Sequence, residues 1–350
     1  MILTIAFAGS PALAVADEVS EKDLARGDLL APKAFRIAAR KVLPSVVYIE
    51  SFGGVPSGQG KIGGIRRPGD GPTTGLIVSS DGYIVTSTFN FIQKPPIITV
   101  HLRDGTQHVA KLVGRDDTRK ICLLKVEDVK DLPLPEIVPR PELKVGQWAI
   151  SVGVGFGDKD PALSAGIISA TSRINGRAIQ TDSNTSPVNY GGPLIDIEGR
   201  VIGICAPLSP QSQEVGSGVE WYDSGIGFAV PLHGAEHLLA AMKAGKTIRA
   251  GYLGIALKRD AKEPVISKVN KNTAADKAGI KAGDKIIAID GKVIVDGQQL
   301  RNVVGGYIEG DEIEVVVQRK DEEKQFKVKL TAAPQQPQVK ITPGARPKRN

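Results

Sequence analysis

The chain has 350 residues, 41% hydrophobic and 24% charged, a balance that excludes an extended disordered polymer and suits about two domains of ordinary size. Its formal charge is +7, yet Lys340, Arg346, Lys348 and Arg349 crowd a final tail without acids. The body therefore carries mixed charge, and no nucleic-acid partner is expected.

The first 16 residues, MILTIAFAGSPALAVA, form an apolar stretch ending in small residues, Ala14 and Ala16, before Asp17. Small residues at that spacing suit a signal peptidase, and the run is too short and interrupted to span a bilayer. An export signal is expected at 1–16 and a linker at 17–32, with the protein periplasmic or otherwise in the cell envelope or outside it. No other segment reaches the length of a transmembrane helix, so no integral membrane segment is expected after signal removal.

Residues 33–247 read as one β-rich domain. From about Ser45 to Leu232, short Val- and Ile-rich runs alternate with Ser80-Asp81-Gly82, Asp104-Gly105, Asn175-Gly176 and Glu198-Gly199. Strands at such spacing with hairpin dipeptides predict an all-β barrel or sandwich. Two Gly- or polar-rich stretches, Phe52 to Pro72 and Gln211 to Ser224, read as long surface loops. Leu238, Leu239 and Met242 stand at helical spacing, with Gly245 placed to end the helix that closes the domain. A mixed α+β unit follows over 248–332, and the Pro- and Gln-rich tail 333–350 reads as disordered.

Cys122 and Cys205 each sit inside an apolar strand-like run and read as buried structural thiols, although an exported protein would permit a disulfide between neighbouring strands. A two-residue Asp104-Gly105 turn would set His101 opposite His108, and a helical turn would separate His233 from His237. Neither pair has a third ligand, so no metal is expected; nor is a cofactor, since GVGFG at 153–157 lacks the lysine and following helix of a phosphate loop.

Within the second unit, NTAADKAGIKAGDKIIAIDGKVI combines a short helix, Gly279 at its end, a Gly283-Asp284 turn, a strand and an Asp290-Gly291 hairpin turn. This series resembles a PDZ domain. The resemblance implies a loop at Tyr252, Leu253, Gly254 and Ile255 whose amides hold a peptide's C-terminal carboxylate. The peptide would add as a strand beside Ile255, Ala256 and Leu257. The facing helix GQQLRNVVGGY carries Leu300, Val303, Val304 and Tyr307 at the 3.6-residue period, some of which must face the core.

The β-rich domain, through TGLIVSSDGYIVTS, VHLRDGTQHVAKLVGRD, LKVGQWAISVGVGFG, SAGIISATSR, IQTDSNTSPVNYGGPLID and GIGFAVPL, resembles the HtrA/Deg family of trypsin-like serine proteases. The resemblance implies a double β-barrel followed by the PDZ domain. It places Phe89 where the family has its histidine, Lys120 at the aspartate, Tyr190 at the nucleophilic serine and Val188 at the glycine that helps shape the oxyanion hole. Phe89 accepts no proton, Lys120 would repel an imidazolium, and a Tyr190 phenol has no evident base beside it. On that ground the chain is expected not to be an enzyme but a polypeptide binder, acting as scaffold, chaperone-like binder or regulator. The alternatives are an active endopeptidase with a displaced apparatus, such as Lys120 with Ser183 or Ser186, and a regulatory subunit of an active relative. Trimeric or mixed assembly is implied by the family alone.

Overall fold

The Val- and Ile-rich runs become the staves of two closed barrels in a computed structural model, which describes residues 27–52, 72–92, 94–155, 160–210, 218, 224–259 and 261–333. The export signal and the basic tail lie outside the described residues, as does nearly all of the Phe52 to Pro72 stretch. Helix α1 (Gly27–Val42) precedes the first barrel, made of β1 (Val46–Phe52), β2 (Thr73–Ser79), β3 (Tyr83–Ser87), β4 (Ile97–His101), β5 (Gln107–Asp116) and β6 (Ile121–Val126). Its order is β5-β4-β1-β2-β3-β6, closed by β5 pairing with β6. The second barrel comprises β7 (Trp148–Gly153), β8 (Ala162–Arg173), β9 (Ala178–Thr181), β10 (Pro193–Ile195), β11 (Val201–Cys205) and β12 (Gly227–Pro231).

Strand alternation divides the apolar side chains between three cores. In the first barrel Ile77, Ile84, Cys122 and Leu124 fill the interior. Their sequence neighbours Leu76, Val85 and Leu123 point the other way, into a seam shared with Ile150, Val152, Ile204 and Phe228 of the second barrel. Ala149, Ile168, Ile179, Leu194 and Cys205 fill that barrel's interior. Both cysteines are free and buried, each within a different barrel.

Helix α2 (Glu236–Lys243) buries Leu238 and Met242 in the shared core, and β13 (Thr247–Ile248) then runs parallel to the end of β5. The α+β unit follows, with two short pairs, β14 (Gly251–Tyr252) with β21 (Thr331–Ala332) and β15 (Ile255–Leu257) with β16 (Ile266–Val269). Its main sheet has the order β18-β17-β19-β20, built from β17 (Lys285–Ile289), β18 (Lys292–Val293), β19 (Glu312–Arg319) and β20 (Glu322–Lys329). Helices α3 (Ala274–Ala278) and α4 (Gly297–Val304) complete the unit.

The histidine geometry departs from the sequence expectation. His101 pairs with Gln107 and not with His108, because Leu102 bonds Thr106 around a longer turn. The two rings therefore leave opposite faces of the hairpin: His101 meets Glu50 at 3.0 Å and His108 meets Thr106 Oγ1 at 2.9 Å. His233 precedes α2 and is not one helical turn from His237.

Candidate functional site

The positions singled out in the first domain are neighbours in space. Phe89 lies in a 3-10 turn, Thr88–Phe91, directly after β3, where Ser87 Oγ accepts from the Phe89 amide at 3.2 Å. The carbonyl of Lys120 pins that turn by accepting from the Thr88 amide at 2.9 Å and from Ser87 Oγ at 3.2 Å. Lys120 itself is buried and takes a left-handed φ of 55°. Tyr190 approaches from the second barrel, and its ring meets Phe89 edge-to-face with centroids 5.4 Å apart. Both aromatics are buried, and Tyr190 forms part of an apolar wall with Thr185, Leu208 and Phe228.

The loop carrying Tyr190 is anchored by a polar cluster that sequence reasoning missed. Thr73 Oγ1 donates to the carbonyl of Tyr190 at 2.8 Å and Thr74 Oγ1 to that of Val188 at 2.7 Å. Thr74 Oγ1 in turn accepts from the Val154 amide, Thr86 donates to the Thr74 carbonyl, and Asn90 bonds Thr73. The signal was the Thr-Thr pair opening β2, polar residues at the mouth of an otherwise apolar strand. Gly191 follows Tyr190 with φ 86°, and a Cβ there would overlap Thr86 Oγ1 and the Thr74 carbonyl, so only glycine fits. The amides of Asn189 and Tyr190 both donate to the Ser186 carbonyl, at 2.9 and 3.0 Å, so the Tyr190 amide is turned into its own loop. Val188 is absent from the positive-φ residues and sits in ordinary backbone.

Of the hydroxyls considered from sequence, Ser183 is fully buried and donates to the Ser164 carbonyl at 2.7 Å. Ser186 is half-buried and donates to Asn189 Oδ1 at 3.0 Å. Burial pushes the thiols upward, Cys205 to about 12 and Cys122 higher, so neither is a ready nucleophile.

The end of β5 links this region to α4. Asp116, fully buried, accepts from the amides of Thr118 and Arg119 and pairs with Arg119 Nη1 at 2.8 Å. Arg119 Nη2 continues to the carbonyls of Gly305 and Gly306, just past α4, at 3.1 and 3.2 Å. Arg177 Nε reaches the Gly305 carbonyl at 3.3 Å, while its buried Nη1 has no hydrogen-bond partner among the described residues. Burial, with the nearby Arg119 charge adding to it and Asp116 opposing, lowers Arg177 to about 10. Cationic groups at a helix C-terminus meet its unpaired carbonyls favourably.

In the α+β unit, Gly254 has φ 86° and a Cβ there would overlap the Thr273 side chain. Its carbonyl accepts from the Asn270 amide at 2.8 Å, and the neighbouring Leu253 carbonyl accepts from the Ala275 amide of α3 at 2.9 Å. The loop at Tyr252 to Ile255 is thus clamped through its carbonyls. On β15, Gly254 and Lys258 bond towards the β16 side, so by alternation the backbone groups of Ile255 and Leu257 face the other edge, towards α4. Leu300 departs from its expected place on the groove wall: it is buried in the core of the unit with Leu253 and Ile266, because α4 turns that face to the sheet. Val303 and Val304 are partly buried against the same core. Tyr307 OH donates to Asp290 at 2.6 Å, and burial followed by that carboxylate raises the phenol well above its usual range.

Residues 73–204 match the family model described as a trypsin-like peptidase domain, and residues 251–330 match the one described as a PDZ domain. The "Probable periplasmic serine endoprotease DegP-like" of Ectopseudomonas mendocina (strain ymp) is 32% identical over 300 residues, covering 81% of this chain and 61% of the relative. The protein of the same name from Marinomonas sp. (strain MWYL1) is 32% identical over 283 residues, 76% of this chain and 58% of that one. Among solved structures, "HtrA-type protease AlgW with tripeptide" superposes with a TM-score of 0.62 at 26% identity, over 86% of this chain and 98% of that one.

The chain belongs to the HtrA/DegP family. Its two six-stranded barrels and PDZ domain are the HtrA architecture, and it is an exported, periplasmic protein like these relatives. It spans about three-fifths of the length of the relatives it matches. These relatives correct the expectation that the HtrA/DegP chain is not an enzyme, since they are named serine endoproteases.

Proposed function

We propose that this HtrA/DegP protein captures polypeptides in the periplasm by their free C-termini, held in the PDZ groove between β15 and α4 and presented beside the trypsin-like domain. The observation that carries this reading is the β15 edge. Ile255 and Leu257 direct their backbone groups away from β16, next to a loop whose carbonyls are already engaged and whose glycine admits no side chain. An extended peptide completes that edge as a further strand, and the amides of the 252–255 loop receive its carboxylate. The HtrA-type protease AlgW, described with a tripeptide and with a decapeptide, supports peptide engagement in this architecture. Scaffolding, chaperone-like holding and regulation of an HtrA relative, by self-assembly or mixed assembly, all use this capture. Saturable polarisation of a labelled C-terminal peptide by the full chain, competed by unlabelled free-acid peptide, tests it. A peptide library without a single competable binder would refute it.

A second reading, endopeptidase activity with a displaced apparatus, is favoured by the name of the relatives. Its nucleophile would be Ser186, the half-buried hydroxyl one turn before Tyr190, since Ser183 is sealed in the barrel. Turnover of quenched casein that disappears in Ser186→Ala supports this assignment; turnover unchanged by that substitution rejects it.

A further inference from the structure

We infer that the PDZ groove selects peptides with acidic side chains just upstream of the C-terminal residue, an inference that rests on the capture proposed above. Arg301 leaves α4 on the same face as Gly297: its Nη1 lies 3.6 Å from the point a Gly297 Cβ would occupy, and Leu257 Cδ1 of β15 lies 2.8 Å from that point. The guanidinium therefore stands where α4 and β15 approach each other, at the end of the groove away from the 252–255 loop. Its Nη2 donates to the neutral Gln298 Oε1 at 2.9 Å, and among the described residues it forms no ion pair.

The outer face of the same strand is basic as well. Ile255 and Leu257 pack towards the core, so Ala256 and Lys258 face outward, and Lys268 of β16 is the partner of Ala256. Ala256, Lys258 and Lys268 are exposed. A peptide added antiparallel to β15 alternates its side chains between the two faces. The terminal residue and the one two before it point towards α4, which brings the latter to Arg301; the residues one and three before the terminus lie over Lys268 and Lys258. A carboxylate at any of these places meets a cation that forms no ion pair among the described residues, and a lysine there meets repulsion.

The test is selection from a random heptapeptide library with free C-termini, using the full chain, its Arg301→Glu variant and its Lys268→Glu variant. Exposed charge pairs are worth about 2- to 5-fold in affinity, so Asp and Glu should be enriched upstream by the wild-type chain. Arg301→Glu should erase or reverse the enrichment two residues before the terminus, and Lys268→Glu that one or three residues before it. Enrichment of apolar termini without any upstream acid would overturn this inference while leaving capture intact. A library with no enriched terminus at all would sink the capture reading and this inference with it.

Discussion

Replacing Asp116 with asparagine probes the junction between the barrels and α4. Asp116 is fully buried, and its Oδ1 accepts two amides at 2.9 Å while Oδ2 holds Arg119 at 2.8 Å. Asparagine keeps an oxygen for the amides, so the turn over 116–119 survives. Among the described residues it removes the one negative charge paired with Arg119, leaving that guanidinium on the Gly305 and Gly306 carbonyls, and it leaves Arg177 beside a second uncompensated guanidinium. Breaking a buried pair from one side costs about 3–5 kcal/mol. With a urea slope of about 2–3 kcal/mol/M, the unfolding midpoint should fall by roughly 1–2.5 M, read by tryptophan fluorescence. Adding Arg119→Gln should return part of the loss, because the stranded charge is then gone. A loss below about 1 kcal/mol in Asp116→Asn would refute the argument that this carboxylate offsets the buried arginines.

Gly191→Ala should destabilise the trypsin-like domain by about 2–4 kcal/mol in the same urea measurement, since it adds left-handed strain to overlap with Thr86 and the Thr74 carbonyl. Cys122 and Cys205 should ignore a thiol reagent at neutral pH until urea unfolds the barrels. Their contribution to stability has a definite sign in pH. The folded Cys205 thiol titrates at about 12 against an ordinary value of 9.0, so stability is retained below about pH 9 and is lost as pH rises through 9 to 12, where the unfolded chain ionises first. Urea midpoints across that window should fall less steeply in a Cys205→Ala chain.

Much of the fold was legible because strand-forming runs and turn dipeptides repeat from Ser45 to Leu232, and because Gly-Asp and Asp-Gly turns punctuate the second unit. Phe89, Lys120 and Tyr190, far apart in the sequence, lie together in space: Phe89 touches Tyr190, and the Lys120 carbonyl holds the turn that carries Phe89. What the sequence concealed depends on distant partners. Thr74 serves Val188 and Val154 across the barrel seam, and Arg119 finds Gly305 across 186 positions, so neither pairing leaves a local pattern. Helical period alone grouped Leu300 with Val303 and Val304 without saying which way α4 faces. Packing on the sheet turned Leu300 inward and left Arg301 beside the groove.

Capture of free C-termini is tested most directly by isothermal titration of the full chain with one library-selected peptide as its free acid and as its amide. Amidation removes the charge that the 252–255 amides would receive, and charge-assisted bonds contribute about 1.5–3 kcal/mol, so the amide should bind at least about 10-fold more weakly. Equal affinity for the two forms would contradict carboxylate recognition at this loop.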